Sequence, residues 1–203
     1  MAYNDNDVNS KRGIAMRTLW LYGHQLSEKW QALQALDKQQ DCILFVEARS
    51  RGQWLPYHKQ KIILVYAAMR HFAAHLQAQG YQVDYQYADT FEQGVTAHLN
   101  HYQPQQIMLH LPTEWQMRSK VLHWASEMKL NEHHAQVKII IRSEDEMFLV
   151  AESEWPDLLP ADKKWNLEQV YRKLRIRYNI LMDGKQPVVV SGIMIRKIVK
   201  ALV

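Results

Sequence analysis

Three segments place polar and aromatic residues directly after apolar runs that have the length of β-strands. They are Tyr22-Gly23-His24-Gln25-Leu26, the segment from Glu47 to Trp54, and the segment from His110 to Thr113. Their amide, imidazole, carboxylate and aromatic groups suit a flat polar heterocycle. The candidate ligand-binding residues are therefore Tyr22, Gly23, His24, Gln25, Leu26, Glu47, Arg51 and Trp54. Ordinary loop polarity accounts for the same residues, so both interpretations stay open.

Other site chemistries find little support in the sequence. The chain has seven glycines but neither a GxGxxG nor a Walker loop, and no serine lies in a GxSxG elbow. A single cysteine, Cys42, excludes an internal disulfide and a cysteine-rich metal site. His71 and His75 have a chelating spacing without a third ligand, and surface histidines are the favoured interpretation. We therefore predict neither catalytic nor metal-ligating residues.

Five short apolar runs predict the strands that position the candidate residues. They are 18–22, 42–46, 81–87, 107–111 and 137–141. Continuous apolar strands of this length are typical of a parallel sheet that is covered on both faces. Helical patterns alternate with the runs, among them 60–79, which Gly80 ends. The sequence thus predicts an α/β fold, a Rossmann-like doubly wound parallel five-stranded sheet, with an additional C-terminal helical segment. Ligands bind such sheets at the carboxyl ends of the strands.

A long helix is predicted from about Trp165 to Met182, ended by Asp183-Gly184. One side carries an apolar stripe of Leu167, Val170, Tyr171, Leu174, Tyr178 and Leu181. Arg172, Lys173, Arg175 and Arg177 supply basic groups. A docking face for another domain is the favoured interpretation, with self-association through the exposed helix if that domain is absent. Contact with nucleic-acid phosphates is the alternative.

Composition places the chain among ordinary globular proteins. Its 203 residues are 47% hydrophobic and 23% charged, with a formal charge of +4. No apolar run reaches a membrane span, and the polar start is neither a signal nor a transit peptide. We expect a cytoplasmic protein without a membrane partner. The predicted divisions are a flexible extension (1–16), a Rossmann-like antenna-type domain (17–142), a linker with the start of a helical region (143–187) and a tail (188–203).

Several ordered motifs resemble one protein family. They include Leu21-Tyr22-Gly23-His24-Gln25-Leu26-Ser27, Ala68-Met69-Arg70-His71-Phe72, Pro112-Thr113-Glu114-Trp115 and Leu181-Met182-Asp183-Gly184. In this order they resemble photolyase-related proteins of the cryptochrome/photolyase family, in the bacterial branch that carries an iron–sulfur cluster. The resemblance covers nearly the whole chain up to Pro187 or Val188.

The resemblance implies the N-terminal domain of a DNA repair or blue-light photoreceptor flavoprotein. In some members this domain holds the antenna chromophore 6,7-dimethyl-8-ribityllumazine. The later helical domain of the family binds FAD and, through four cysteines, a four-iron cluster, and the full-length proteins act on damaged DNA. With one cysteine, this chain is not expected to hold the cluster. We also expect no FAD, because the FAD-binding domain lies beyond the part that the chain resembles, and we expect the chain to be inactive alone.

The chain departs from the family pattern at two places. Arg51 and Trp54 lie where lumazine-binding members tend to carry acidic residues and a tyrosine, and His24 lies where aspartate is common. These departures predict a different antenna or none. After Pro187, the family continues with a Gly-Gly-x-Trp-Asn-x-Asp-x-Glu-Asn-Arg motif, which a neighbouring reading frame of the tail can encode. We hypothesise that a frameshift truncates the chain and that 188–203 is an out-of-frame tail, which resequencing through the codons for Gln186 to Ser191 tests.

Two functions follow as expectations. The first is an inherited role as the antenna or scaffold domain of a photolyase-related protein, whose partner is the missing FAD-binding helical domain. The second is a stand-alone module that binds a lumazine, a flavin or a nucleotide at the Gly23 and Glu47 loops.

Overall fold

The computed structural model describes residues 16–130, 136–142, 148–159, 164, 166–184 and 186–187. The chain divides into two compact units, Met1–Asp145 and Glu146–Val203. The predicted tail (188–203) lies outside the described residues, and so does the predicted extension (1–16) apart from residue 16.

The first unit is built on a parallel sheet of five strands. The strands are β1 (Arg17–Leu21), β2 (Cys42–Ala48), β3 (Gln82–Ala88), β4 (Gln106–His110) and β5 (Lys138–Arg142). They lie in the order β3-β2-β1-β4-β5, and every neighbouring pair is parallel. The predicted Rossmann-like α/β fold is confirmed.

Helices cover both faces of this sheet. They are α1 (Gln31–Gln34), α2 (Arg49–Gln53), α3 (Lys59–Ala78), α4 (Phe91–Tyr102) and α5 (Trp115–Leu130). Trp20, Leu44 and Val46 point to the face that packs on α4 and α5. Leu19, Ile43 and Phe45 point to the opposite face, which packs on α1 and α3. Because successive strand residues alternate between faces, each buried strand supplies both cores.

Helix α4 packs unusually close to the sheet. A Cβ atom at Gly94 would lie 2.4 Å from Val46 Cγ1, which is far inside van der Waals contact. At the start of the helix, the Thr90 hydroxyl accepts a hydrogen bond from the Gln93 N–H, as the capping pattern predicts. A glycine at position 94 therefore allows α4 to pack this closely against β2. The same contact positions the first turn of α4, which Thr90 caps.

The strand limits differ from the predicted ones by one or two residues. Strand β1 ends at Leu21 instead of Tyr22, because the Tyr22 N–H bonds to the side-chain oxygen of Gln25 rather than to a neighbouring strand. Strand β2 continues to Ala48, where Glu47 and Ala48 pair with Tyr87 and Ala88 of β3. The polar Glu47 is thus still a strand residue.

The second unit contains a 3₁₀ turn (Glu152–Glu154), α6 (Trp155–Leu158), α7 (Leu167–Tyr178) and the short antiparallel pair β6 (Met182–Asp183) and β7 (Gln186–Pro187). The predicted long helix to Met182 is wrong at its end. Helix α7 stops at Tyr178 because Asn179 and Leu181 adopt left-handed backbone conformations. Asp183 is the last residue of β6, and Gly184 lies in the turn that follows it. Trp165, the predicted first residue, lies outside the described residues.

Asn166 sets the start of α7. Its side chain accepts a hydrogen bond from the Gln169 N–H, and the Gln169 side chain accepts one from the Asn166 N–H. This reciprocal capping satisfies two N–H groups that the first helical turn leaves unpaired. In the described part of the chain, no helix is long and apolar enough to cross a membrane.

Candidate ligand-binding site

The carboxyl ends of the strands bring the predicted binding segments to one edge of the sheet. Residues 22–30 follow β1, helix α2 follows β2, and the segment before α5 follows β4. Strands β2 and β4 lie on opposite sides of β1, so the strand order reverses at β1. Sheets of this kind bind ligands in a crevice at such a topological switch point, and we expect one here.

The loop after β1 is held by its own hydrogen bonds. The Gln25 side chain accepts from the Tyr22 N–H at 3.2 Å, and the Trp30 indole N–H donates to the Gln25 carbonyl oxygen at 2.7 Å. Gln25 is buried, Leu26 is half-buried against the α1/α3 core, and His24 is exposed with its ring stacked at 5.9 Å from that of Tyr22. Gln25 thus shapes the loop, and only His24 is open to solvent among these three residues.

Gly23 contacts helix α3 directly. A Cβ atom there would lie 2.9 Å from both Val65 Cγ1 and Met69 Sδ. The glycine is therefore needed for close packing of loop and helix, and this contact leaves no room for a ring between them.

Glu47 belongs to an ion pair on the same face as α3. Arg70 donates to both carboxylate oxygens, at 2.6 and 2.9 Å, and the Tyr85 hydroxyl donates to one of them at 2.8 Å. Partial burial of Tyr85, and then its hydrogen bond to the Glu47 carboxylate and the charge of that group, strongly raise the pKa of the Tyr85 hydroxyl. Both oxygens of Glu47 thus accept hydrogen bonds within the protein, and a ligand contact by this carboxylate stays a prediction.

Arg51 and Trp54 lie at the other face of the sheet. Trp54 packs against the α4/α5 core. Arg51 donates to the Tyr57 hydroxyl at 2.8 Å and to Glu114 at 2.5 Å, and its guanidinium carbon lies 4.9 Å from the Trp54 ring centroid. The Lys120 ammonium lies closer, at 3.7 Å from the same centroid. Two cations from different helices thus converge on one indole ring.

An open cleft of about 160 Å³ lies beside this ring. It is bounded by α2, the first turn of α4 and one side of α5, and is lined by Ser50, Arg51, Trp54, Thr90, Phe91, Glu92, Met117 and Lys120. A recess of about 20 Å³, which has room for about one water molecule, adjoins it. The recess shares Phe91, Glu92, Met117 and Lys120 with the cleft and adds Trp20, Val121 and Trp124. Aromatic and thioether walls with a few polar groups are what a planar organic ligand requires.

Two buried polar atoms next to this space lack a hydrogen-bond partner among the described residues. They are the Trp20 indole N–H, in a side chain 2% exposed, and the Tyr22 hydroxyl, in a side chain 4% exposed. Their rings contact each other and Phe91. Burial raises the pKa of Tyr22 well above its usual value, so its hydroxyl stays protonated. Such groups are uncommon in folded proteins, and an ordered water or a ligand atom can supply the missing partner.

The structure therefore distributes the predicted site residues over both faces of the sheet. Tyr22, Arg51 and Trp54 lie on the α4/α5 side; Gly23, Leu26 and Glu47 pack towards α1 and α3. Sequence reasoning missed Trp20, Phe91, Glu92, Met117 and Lys120. The carboxyl end of β3 leads directly into Thr90 and Phe91, so applying the strand-end rule to that strand too indicates these two residues. Nothing in the sequence places Lys120 over Trp54.

The basic residues of α7 are engaged within their own unit. Arg172 pairs with Glu168 at 2.7 Å, Arg177 pairs with Glu154, and Arg175 donates to the Ile180 and Leu181 carbonyl oxygens beyond the helix end. Lys173 donates to the Leu158 carbonyl oxygen at 3.0 Å. Each of these four basic side chains thus has a partner within the second unit. Their contact with nucleic-acid phosphates stays a prediction.

Comparison with known proteins gives two matches. Residues 19–189 match the model of the family described as deoxyribodipyrimidine photo-lyase-related protein. A (6-4) photolyase of Agrobacterium fabrum (strain C58 / ATCC 33970) is 32% identical over 174 residues. That alignment covers 83% of this chain and 33% of the relative, so the chain spans about a third of the length of the relative.

Proposed function

Because the chain belongs to the deoxyribodipyrimidine photolyase-related protein family, we propose that it is the antenna or scaffold domain of a photolyase-related DNA repair or blue-light photoreceptor flavoprotein. The observation that carries this proposal is a cleft lined by Trp54 and Phe91 at the carboxyl edge of a Rossmann-like sheet. An antenna domain requires such a place for a light-absorbing heterocycle.

The partner in this proposal is an FAD-binding helical domain. One cysteine in 203 residues cannot supply four thiolates to an iron–sulfur cluster, so the cluster belongs to that partner region. Without flavin the chain alone has no excited-state electron donor, and we expect it to be inactive in photorepair. Damaged DNA is the substrate that we propose for the complete assembly.

The proposed chromophore is a lumazine or a related flat heterocycle. Such a group supplies light absorption, and the protein supplies binding and orientation. Arg51 and Trp54 of the predicted set line an open space, whereas Gly23 and Glu47 are committed to contacts with α3. We therefore propose Arg51 and Trp54, rather than Glu47, as chromophore contacts.

A repair assay tests the proposed dependence on a partner. The purified 203-residue chain, supplied with FAD and reductant, is illuminated with DNA that carries a (6-4) photoproduct, and the Agrobacterium relative serves as positive control. We expect lesion loss with the relative and none above the dark control with this chain. Light-dependent repair by the chain alone contradicts the proposal.

A stand-alone binding module is the second candidate. The Trp20 N–H, which has no hydrogen-bond partner in the described part of the chain, supports it. The stand-alone module binds the same ligand as the proposed antenna domain, but it needs no partner domain. Mixing the chain with the separately expressed FAD-binding region of the relative distinguishes them. A stable complex supports the scaffold role, and ligand uptake without a complex supports the module.

A further inference from the structure

Helix α3 is apolar on the side that faces solvent as well as on the side that packs on the sheet. We propose that this outer face of α3 binds the same face of a second copy of the chain, with the two helices antiparallel. The inference goes beyond the proposed function, and it depends neither on chromophore binding nor on an FAD-binding domain.

The first two turns of α3 expose two large apolar side chains. Ile63 is 65% exposed and Leu64 is 70% exposed, whereas the next two residues, Val65 and Tyr66, pack on the core below the helix. A helical segment that is apolar all round is normally covered on every side. Ile63 and Leu64 are therefore the part of α3 that gains most free energy when a partner removes them from water.

The outer face continues along α3 with the spacing of a helix–helix contact. It follows residues that lie alternately four and three positions apart, namely Gln60, Leu64, Ala67, His71, Ala74 and Ala78. This line runs opposite to the buried Met69 and Leu76, and it contains no Asp, Glu, Lys or Arg. Its alanines allow the axis of a second helix to come within about 8–10 Å. The spacing thus favours a helix as the partner.

The outer face is self-complementary when two copies of α3 run in opposite directions. With the two-fold axis at the level of Met69, Leu64 of one copy meets Ala74 of the other, and Ala67 meets His71. A large side chain then faces a small one at both ends of the contact, as close packing requires. Both copies use the same surface, so the assembly closes at a dimer.

The charges beside the outer face also fit a second copy. Helix α3 contains no acidic residue, and Lys61 is exposed near its start. Glu28 lies at the other end of the helix, where its carboxylate accepts from the Gln79 amide at 2.9 Å and lies 2.6 Å from His75 Nε2. Lys61 and Gln79 are about five turns apart, so they project from the same side of α3. In the antiparallel pair, Lys61 of each copy therefore reaches Glu28 of the other.

The remaining charges do not oppose this pairing. Arg70 comes close to its own copy near the axis, but it donates to both oxygens of Glu47 at 2.6 and 2.9 Å, which balances its charge within each chain. Hydrogen bonds from Gln79 and then from His75 lower the pKa of Glu28, so that carboxylate is ionised at neutral pH. Opposite charges thus meet at both ends of the contact, and this complementarity favours a second copy as the occupant.

Sedimentation equilibrium of the purified 203-residue chain tests the contact. We expect a monomer–dimer equilibrium, which Leu64→Arg weakens about a hundredfold because the contact then loses a leucine from each copy and gains two charges. Leu122→Arg is the matched control, because Leu122 is a 46% exposed leucine of α5, and it should leave the equilibrium unchanged. A monomeric wild-type chain overturns the proposal, and so does an equal loss in the two variants.

A charge exchange tests the antiparallel geometry. Lys61→Glu and Glu28→Lys should each weaken the dimer about tenfold, because like charges then meet at both ends of the contact. The double variant should restore the wild-type equilibrium, since opposite charges face each other again. Lys59→Glu, on the other side of α3, is the control and should have no effect. Additive losses in the double variant overturn the antiparallel pairing.

Self-association through α7 is the competing contact. The double variant Leu167→Lys and Tyr171→Lys removes the exposed apolar side chains there, and we expect it to keep the dimer that Leu64→Arg loses. A dimer that survives Leu64→Arg but not the α7 double variant assigns the contact to the second unit and overturns the proposal. Because Leu64 is mostly exposed, Leu64→Arg should fold, and its unfolding free energy should match that of the wild-type monomer.

Discussion

At the scale of single residues, Asp41 ties the start of β1 to the start of β2. Its carboxylate accepts hydrogen bonds from the Arg17 N–H, the Arg17 guanidinium and the Asp37 N–H. Burial alone raises the pKa of Asp41, but these donors outweigh it and leave the pKa below its usual value. The folded state is thus stabilised by the ionised form of Asp41.

The sign of the pH dependence follows from this lowered pKa. A carboxyl group with a lower pKa in the folded state stabilises the protein above its unfolded pKa of ~3.9, and this contribution disappears as the pH falls through the folded value. Asp41→Asn should lower the free energy of unfolding by about 1–3 kcal/mol at pH 7. The difference between variant and wild type should shrink below pH ~4.

Chemical denaturation at several pH values measures this effect. The exposed Asp157 is the matched control, and Asp157→Asn should leave the unfolding free energy nearly unchanged at every pH. A loss in Asp41→Asn that is the same at pH 7 and pH 3 contradicts the role of the charge.

Cys42 gives a second prediction at this scale. Its side chain is fully buried in β2, and burial, with the charge of Asp84 adding to it, raises the pKa of the thiol to about 12. Because the thiolate is the reactive form, a thiol reagent at pH 8 should label the folded chain very slowly and the guanidinium-unfolded chain at once. Rapid labelling without denaturant shows that β2 opens or that the thiol is reactive.

At the scale of elements, the contact of α4 with β2 sets one wall of the cleft. Gly94 lies so close to Val46 that a methyl group cannot fit without movement. Gly94→Ala should therefore destabilise the chain by about 1–3 kcal/mol through overpacking, although alanine is the better helix former by ~1 kcal/mol. Thermal or chemical unfolding measures the change.

Two further variants separate the clash from helix propensity. Asn100→Ala, at an exposed position of the same helix, should be neutral or slightly stabilising. Val46→Ala combined with Gly94→Ala should recover part of the loss, because the smaller side chain makes room for the new methyl group. Purely additive effects of the two changes argue against direct contact.

The sheet was predictable because its signals are local. Runs such as Cys42-Ile43-Leu44-Phe45-Val46 are apolar throughout, as strands buried on both faces require, and the helices between them show the matching periodicity. The ends of strands and helices were less predictable where a side chain takes the place of a backbone hydrogen-bond partner. The Gln25 side chain does so for the Tyr22 N–H at the end of β1, and the Asn166 side chain does so for an N–H at the start of α7. The Asn166–Gln169 spacing is itself a recognisable capping signal.

The candidate site was predictable only in part. The strand-end rule found Arg51 and Trp54, but it cannot say to which face of the sheet a loop residue turns. Glu47 is the clearest case, because strand β2 continues past it and directs its carboxylate to Arg70. The meeting of Trp54 with Lys120 joins residues 66 positions apart, and only the packing of α5 against the sheet brings it about.

At the scale of the whole molecule, α7 carries exposed apolar side chains in the second unit. Leu167 is 87% exposed and Tyr171 is 46% exposed, and they lie on the same side of the helix. We predict concentration-dependent self-association through this stripe, which the double variant Leu167→Lys and Tyr171→Lys should weaken. Size-exclusion chromatography with light scattering measures it.

Ile176 provides the matched control for this prediction. It is 67% exposed and lies on the opposite side of α7 from Leu167. Ile176→Lys adds the same charge and should leave self-association unchanged. A wild-type chain that stays monomeric at all concentrations, or an equal effect of Ile176→Lys, rules out the stripe as the contact.

The central claim is that this family member holds a flat chromophore in the α2/α4/α5 cleft of its Rossmann-like domain. A crystal structure of the 203-residue chain grown with saturating 6,7-dimethyl-8-ribityllumazine tests it most directly. We expect ring density in the cleft, stacked on Trp54. Density between the Gly23 loop and α3, or a cleft that stays empty with Lys120 still over Trp54, contradicts it.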